Sequence, residues 1–539
     1  MTVVDQPVSF LPTRSTPAES PRPSTGRSTR PSTGPSTPPS TRPSTRPGIG
    51  TNGPALLPLD AGEQYRFSFE MGACIGCHSC EVACAEQNAN PVGVNWRRVG
   101  EVEGGSFPEA QRFNLSMACN HCVEPTCLSG CPTNAYVKLE NGIVAHHAED
   151  CIGCQYCIWN CPYEVPAFNP QRRVVTKCDL CQPRLATGDK PACVDACPTH
   201  AITVEKVNIA QWRADHRQAD APGLPPSDIT LSTTRIIVPE SMPASTRSVV
   251  DERLEPADPH WPLIAVTLLT QLSLGTLVAT VALHALAARP PGAAGAGAAA
   301  GAGALALAVS VLHLGRPAVA WKALRNLRRS WLSREVALFS AFSLATFAYA
   351  AASIVGGWSP RPLLGLGLVA IALGAAGTYA SGRLYLVPAR PVWNSGRTVV
   401  AFFATALVTG PLVAVPSAGP GTAGIRLLFG LATIGSLFQL GAIQHLVASI
   451  AARREREFAL TARLLFGRFR LLFVVRVGAT LATTAACMLA SLSAARAGAG
   501  FLALVVLALA AAGELIGRYL FFVTVTPMTA ARRFSGGTR

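Results

Sequence analysis

Sixteen of the 17 cysteines lie between Cys74 and Cys197, and their spacing is where chemistry first shows. They form four quartets: Cys74, Cys77, Cys80 and Cys84; Cys119, Cys122, Cys127 and Cys131; Cys151, Cys154, Cys157 and Cys161; Cys178, Cys181, Cys193 and Cys197. Pro132, Pro162 and Pro198 follow the last cysteine of the second, third and fourth. Three thiolates two residues apart sit on one tight loop and can reach three corners of an iron–sulfur cubane. A fourth, placed at the start of a helix, points away and ligates a neighbouring cluster. Two complete repeats and two expanded ones therefore point to four [4Fe–4S] clusters. Disulfides would need an oxidising compartment, and zinc sites close paired C-x2-C steps on one ion without this quartet-and-proline pattern.

The segments that must position these thiols differ sharply in composition. Residues 1–61 are rich in Pro, Ser, Thr and Arg and are expected to be disordered, because few apolar side chains offset chain entropy. That stretch holds neither the apolar core of a secretory signal nor an adjacent arginine pair. Residues 62–206 read as an α+β, ferredoxin-like polyferredoxin domain of two bicluster units. Residues 207–260, with proline-rich breaks at Pro222–Pro226 and Pro256–Pro259, read as a connector that also packs on that domain. An all-α, eight-helix transmembrane bundle is expected over 261–526, and 527–539 form a basic tail.

Eight apolar segments at roughly 262–286, 293–313, 335–356, 362–382, 398–418, 424–448, 471–492 and 498–524 are each close to the ~20 residues that cross a bilayer. The net charge of +15 resides largely in loops between these segments, which argues for membrane orientation and against a nucleic-acid groove. Eighteen Lys and Arg flank the spans on the side of the cysteine domain, against Arg289, Arg361, Arg426 and Arg496 on the other. The positive-inside rule then expects an inner-membrane, multi-pass protein with the cysteine domain and both termini facing the cytoplasm.

Two stretches carry a family resemblance. Cys119-Asn-His-Cys-Val-Glu-Pro-Thr-Cys127 and Lys177-Cys-Asp-Leu-Cys181 resemble the iron–sulfur subunit of dimethyl sulfoxide reductase-type molybdoenzymes, over roughly Tyr65 to Lys206. His313-Leu-Gly-Arg-Pro317, Ser330-Trp-Leu-Ser-Arg-Glu335 and Pro388-Ala-Arg-Pro-Val-Trp-Asn394 resemble the anchor subunit of the same complexes. The resemblance implies a fused, non-catalytic electron-transfer subunit whose own chemistry is limited to quinol oxidation, with molybdopterin confined to a separate catalytic subunit. It implies ligand sets of Cys74, Cys77, Cys80 with Cys197; Cys178, Cys181, Cys193 with Cys84; Cys119, Cys122, Cys127 with Cys161; and Cys151, Cys154, Cys157 with Cys131. It also implies a haem-free anchor that draws menaquinol or ubiquinol from the membrane pool. In the best-known complexes of this kind the catalytic side faces outward, which the fusion and the charge bias argue against here.

Ionisable groups in a membrane are costly and mark function. His313 closes the second segment and Glu335 opens the third, so both are candidates for accepting quinol protons; His445, on the sixth, is a possible further member of the quinol site. Glu514 and Arg518, four residues apart, are expected to form a buried structural ion pair, and Cys487 to pack in a helix. A haem between His313 and His445, electron flow in reverse from a dehydrogenase such as formate dehydrogenase, and a redox-sensing membrane transporter are the rival readings.

Overall fold

The computed structural model describes residues 58–248, 254–287, 293–418, 422–493 and 498–529. The expected disordered tail lies outside the described residues except for its last four, and so does the basic tail beyond Thr529.

Two three-stranded sheets frame the cysteine domain. Strand β1 (Glu63–Glu70) is followed by helix α1 (Ser79–Gln87), β2 (Arg98–Gly104), β3 (Gln111–Met117), α2 (Thr126–Gly130), β4 (Tyr136–Lys138) and β5 (Val144–His146). Then come α3 (Tyr156–Asn160), β6 (Ala167–Asn169), β7 (Val174–Thr176), α4 (Gln182–Ala186), α5 (Ala192–Asp195), β8 (Ile202–Asn208), α6 (Ile209–Asp215), β9 (Arg235–Ile237) and β10 (Arg247–Ser248). One sheet runs β8-β1-β9, with β8 antiparallel to β1 from Glu63↔Asn208 to Phe69↔Ile202 and β9 parallel to it. The other runs β10-β2-β3, and β4–β5 and β6–β7 are hairpins. Residues past 206 are thus woven into the domain: β9 and β10 occupy sheet edges, and Trp212 is 2% exposed.

The cysteine loops share a backbone device. Between the cysteines of one C-x2-C step of each quartet stands a non-glycine residue in the left-handed region: His78 (φ 60°), His121 (φ 44°), Gln155 (φ 62°) and Leu180 (φ 61°). Three residues beyond Cys131, Cys161 and Cys197 the same conformation returns at Asn134, Glu164 and His200. Left-handed backbone is unfavourable for an L-residue and persists where the surrounding fold requires it. Here it curls each loop tightly enough to turn successive thiols toward one centre.

Eight helices among the described residues are long and apolar enough to cross a membrane. They are α7 (Trp261–Ala287), α8 (Ala293–Ser310, continued by a 3-10 turn to His313), α9 (Trp331–Val355), α10 (Pro360–Leu384), α11 (Gly396–Ala414, continued to Ser417) and α12 (Thr422–Ala452), then, after a short α13 (Arg456–Ala462), α14 (Arg470–Ser493) and α15 (Ala499–Val523). Helices α7 to α10 pack as one group and α11, α12, α14 and α15 as another, joined mainly where α7 meets α11. Leu344, Leu489 and Phe501 are 63–75% exposed, as side chains facing lipid must be. Cys487 is buried in the apolar core of the second group.

Gly275 of α7 and Gly410 of α11 set the closeness of that seam. A Cβ on Gly275 would lie 1.8 Å from the Ala406 carbonyl oxygen, and one on Gly410 would lie 2.0 Å from the Gly275 carbonyl carbon. Backbone meets backbone there, as small residues permit in lipid. Gly275→Val is expected to force the helix groups apart at a cost of about 1–3 kcal/mol, the usual range for overpacking. A thermal-unfolding midpoint in detergent equal to that of the native protein would contradict this.

Candidate metal centres and their junction with the membrane

Thiols that lie within electrostatic reach of one another form four sets. Cys74 is close to Cys77 and Cys197. Cys84 joins Cys181 and Cys193, and Cys178 lies beside Cys84 and Cys193. Cys122, Cys127 and Cys161 each lie near Cys119. Cys151, Cys154 and Cys157 gather about Cys131. Neighbouring sets touch in a row: Cys80 lies near Cys193, Cys178 near Cys119, and Tyr136 between Cys127 and Cys157. Backbone N–H groups of Gly153 and Leu180 donate to the sulfurs of Cys151 and Cys178 at 3.4 Å, and the Thr230 hydroxyl donates to Cys122 at 3.2 Å. Among the described residues no three His, Cys, Asp or Glu side chains converge on a single metal ion. That is compatible with a cubane, in which the four cysteines bind four different irons.

The charge of the surroundings tests whether such a group fits. Arg97 is 3% exposed, and its Nε and Nη2 have no hydrogen-bond partner, while Nη1 donates to Ser116 at 3.1 Å. Lys177 is 4% exposed and donates to the carbonyls of Cys178 and Val144. Burial by itself would drive both cations toward neutrality, yet both are held above their ordinary pKa values by surrounding cysteines: Cys193, Cys80, Cys178 and Cys84 around Arg97, and Cys119, Cys127 and Cys178 around Lys177. In the same way, burial pushes the Cys84 and Cys122 thiols up to about 12. Such thiols stay protonated on their own and lose the proton only as iron binds, and the two buried cations beside them then complement the anion that results. The residues therefore fit iron–sulfur clusters.

The Cys131–Cys151 set lies against the anchor. The loop after α8 runs along it: the Arg316 amide donates to the Ile152 carbonyl (3.0 Å) and its guanidinium to the Ala148 carbonyl (3.1 Å). Asn326 donates to the Cys131 carbonyl (2.8 Å) and Ser330 to that of Gly130 (2.8 Å). Asp150 takes Lys322 (3.1 Å) and Arg325 (2.7 Å), and the Lys322 ammonium holds its carboxyl below the usual carboxylate range. Deeper in, Glu164, three residues past Cys161, pairs with Arg390 in the loop after α10, both fully buried. Trp159 packs edge-on against Trp393 at 5.4 Å and against His260 at 5.1 Å. Cysteine domain and anchor thus share one apolar core.

Glu335 lies in the second turn of α9, so the helix starts one turn before the position expected from sequence. Its carboxylate stands close to Tyr156, the residue between Cys154 and Cys157, and to Tyr385; burial, and then this carboxylate, raise both phenols above their ordinary pKa. Tyr156 in turn donates to the Leu384 carbonyl at 2.8 Å. His313 lies near His260, which packs on Trp159, and its ring is within reach of the Ser310 backbone. Among the described residues no hydrogen bond joins His313 to Glu335. His445 is exposed, bonds Ser449 at 3.2 Å, and among the described residues shares no hydrogen bond or ring contact with either residue. Arg97, Glu164 and Thr230 have no motif of their own in the sequence; Tyr156 and Lys177 stood in or beside recognised cysteine steps, and Arg390 stood within the 388–394 anchor motif.

Comparison with known proteins follows the same division. Residues 111–207 match the family model described as a 4Fe-4S dicluster domain, and residues 256–523 that of the DMSO reductase anchor subunit (DmsC). The B subunit of anaerobic dimethyl sulfoxide reductase from Haemophilus influenzae is 39% identical over 177 residues, 31% of the present sequence and 86% of the relative. This protein belongs to the family of dimethyl sulfoxide reductase B subunits, with a DmsC-type anchor fused behind the iron–sulfur module. The B subunit of Escherichia coli K12 is 37% identical over 167 residues, 30% of the present sequence and 82% of that subunit. The formate dehydrogenase-O iron–sulfur subunit of the same organism is 39% identical over 191 residues, 32% of the present sequence and 63% of that subunit. The iron–sulfur module and the DmsC anchor, separate matches in sequence, are thus one packed unit through the 148–164 and 313–335 segments.

Two outcomes follow from these contacts. Replacing Arg97 by Gln removes a buried positive charge from beside the thiol sets; at about 6 Å and an effective dielectric near 20 this is worth about 3 kcal/mol, or ~120 mV for one electron. The potential of one EPR-detected cluster should fall by an amount of that order, and a rise or no change would oppose the charge argument. Arg390→Ala strands the Glu164 carboxylate, which typically costs about 3–5 kcal/mol. Limited proteolysis should then cleave the junction faster than in the native protein, and Glu164→Gln in the same background should restore protection.

Proposed function

We propose that this protein is the electron conduit between the membrane quinone pool and a separate molybdopterin-containing catalytic subunit. The observation that carries the reading is the junction at Tyr156: a residue between two quartet cysteines lies close to a membrane carboxylate, Glu335, while His313 lies near His260, which packs on Trp159 of the module. Quinol oxidation releases two protons with its two electrons. His313 and Glu335 are two bases at the membrane edge beside the nearest thiols, and the aromatic wall of Trp159, Tyr385 and Trp393 keeps that patch dry.

The ligand sets we assign are Cys151, Cys154, Cys157 with Cys131 nearest the membrane; then Cys119, Cys122, Cys127 with Cys161; Cys178, Cys181, Cys193 with Cys84; and Cys74, Cys77, Cys80 with Cys197. Four [4Fe–4S] clusters in these sets supply one-electron carriers in a row across the module. The catalytic subunit would meet the face farthest from the anchor, about Cys74 and Cys77, the latter exposed. The module lies on the arginine-rich side of the bundle, which favours a cytoplasmic location. The likeness to a formate dehydrogenase iron–sulfur subunit favours a second reading, in which the same row runs from a dehydrogenase to quinone.

The test is anaerobic EPR with iron analysis during titration by a menaquinol analogue, on the native protein, His313→Ala and Glu335→Gln. About sixteen irons per molecule, with signals that appear on quinol addition and fall at least tenfold in rate in both variants, is the expected result. Full iron with no response in the native protein would remove the quinol assignment and favour a sensory role. Reduction by formate plus a dehydrogenase partner, followed by quinone reduction, would select the reverse direction.

A further inference from the structure

The second helix group holds a polar cavity that the quinol reading does not use. A partly open cavity of about 80 Å³ lies between α11, α12, α14 and α15, at the membrane edge that carries the iron–sulfur module. Its walls are Ala442, Ile443, Leu446, Leu465 and Phe473, together with Trp393 and Phe521, which stack on each other at 4.9 Å. Three guanidinium groups reach it, Arg397, Arg476 and Arg518, against one carboxylate, Glu514.

The expected Glu514–Arg518 ion pair is not what forms. Oε2 of Glu514 accepts from the Thr405 hydroxyl (2.7 Å) and the Gln439 amide (2.9 Å), while Arg518 donates to Gln271 on α7 (2.9 Å). The two side chains make no direct contact; the Thr405 hydroxyl on α11 bridges them, donating to Glu514 and accepting from Arg518 at 3.5 Å. Arg518 is 6% exposed and stacks on Phe402 at 4.0 Å; both its hydrogen bonds, to Gln271 and Thr405, use Nη2, which leaves Nε and Nη1 without an acceptor among the described residues. Arg397 likewise spends only Nη2, on the Val392 carbonyl. Arg476 enters because Gly517 lacks a side chain: a Cβ there would fall 0.8 Å from Nη1. It donates to the Gly513 carbonyl (3.1 Å) and to Gln439 (3.4 Å), and it lies within electrostatic reach of both other arginines.

Gathering three cations around one carboxylate inside a bilayer is unfavourable unless a further anion joins them. Free guanidinium donors select an oxyanion, which they can hold through paired hydrogen bonds. Apolar walls beside lipid-facing Leu471, Val474 and Val475 of α14 suit an anion that carries hydrocarbon chains. We propose that this cavity binds the phosphate headgroup of an anionic phospholipid, held by Arg397, Arg476 and Arg518, with its acyl chains leaving between α12 and α14. Since Trp393 lines the cavity and meets Trp159 of the module, an occupied site braces the junction from the anchor side.

The full-length protein, purified anaerobically and exhaustively delipidated in detergent, would be titrated with phosphatidylglycerol, phosphatidylcholine or inorganic phosphate, reading bound lipid by native mass spectrometry and the unfolding midpoint by heating. One retained phosphatidylglycerol that raises the midpoint is expected, with phosphatidylcholine and phosphate ineffective. Arg476→Gln should weaken that binding by about tenfold or more, as loss of a charged hydrogen-bonding partner does. Gly517→Leu, which evicts the Arg476 side chain without removing its charge, should weaken it too, so a folding failure in one variant leaves the other as the test. Equal effects of phosphatidylglycerol and phosphatidylcholine, a midpoint raised as much by phosphate alone, or a quinone analogue that competes the lipid away would each overturn the assignment.

Discussion

The backbone carbonyls of Gly130, Cys131 and Ile152 are held by one stretch of the anchor, and the rest of the architecture depends on that contact. A loop that curls thiols around a centre points its carbonyls outward, where each needs a donor. Arg316, Asn326 and Ser330 provide those donors from a segment that itself lies between two membrane helices. The thiol set fed by Cys131 and Cys151 is thereby fixed against the bundle, and the other three sets extend away from it in a row.

Charge explains much of what surrounds the sets. The module buries Arg97 and Lys177 among cysteines, a choice that is costly in an apo domain and favourable once thiolates bind iron. At the junction the pattern differs: Glu164 and Arg390 neutralise each other in a dry interface, and Asp150 meets two cations at its rim. The inner pair fixes register where water is excluded. The outer set is exposed enough to be screened, so it contributes orientation more than stability.

The two helix groups use polar side chains differently. In the first, Glu335 and His313 are presented toward the module. In the second, Gln439, Thr405, Glu514 and three arginines turn inward around a cavity. Both lie at the same membrane edge, and the aromatic group of Trp159, Tyr385, Trp393 and Phe522 stands between them.

Cysteine spacing, eight apolar runs of bilayer length and a one-sided excess of arginine were legible in the sequence, because each is a local or periodic property of the polypeptide. They determined the two-part architecture and the family, and the spans agree with the structure to within a few residues. What surrounds the thiols was not legible. Thr230 reaches Cys122 from 108 residues away, and Tyr156 meets Glu335 through a contact between two modules. Helical spacing suggested a direct Glu514–Arg518 pair, and the structure instead bridges the two through Thr405 of α11, since an i,i+4 interval fixes where two side chains begin and leaves open what lies nearest their tips. Sequence alone determined which atoms could bind iron and which segments enter the bilayer. Tertiary packing decided which thiols meet, which set touches the membrane and where buried charges find partners, because those depend on distances that close only when remote segments fold together.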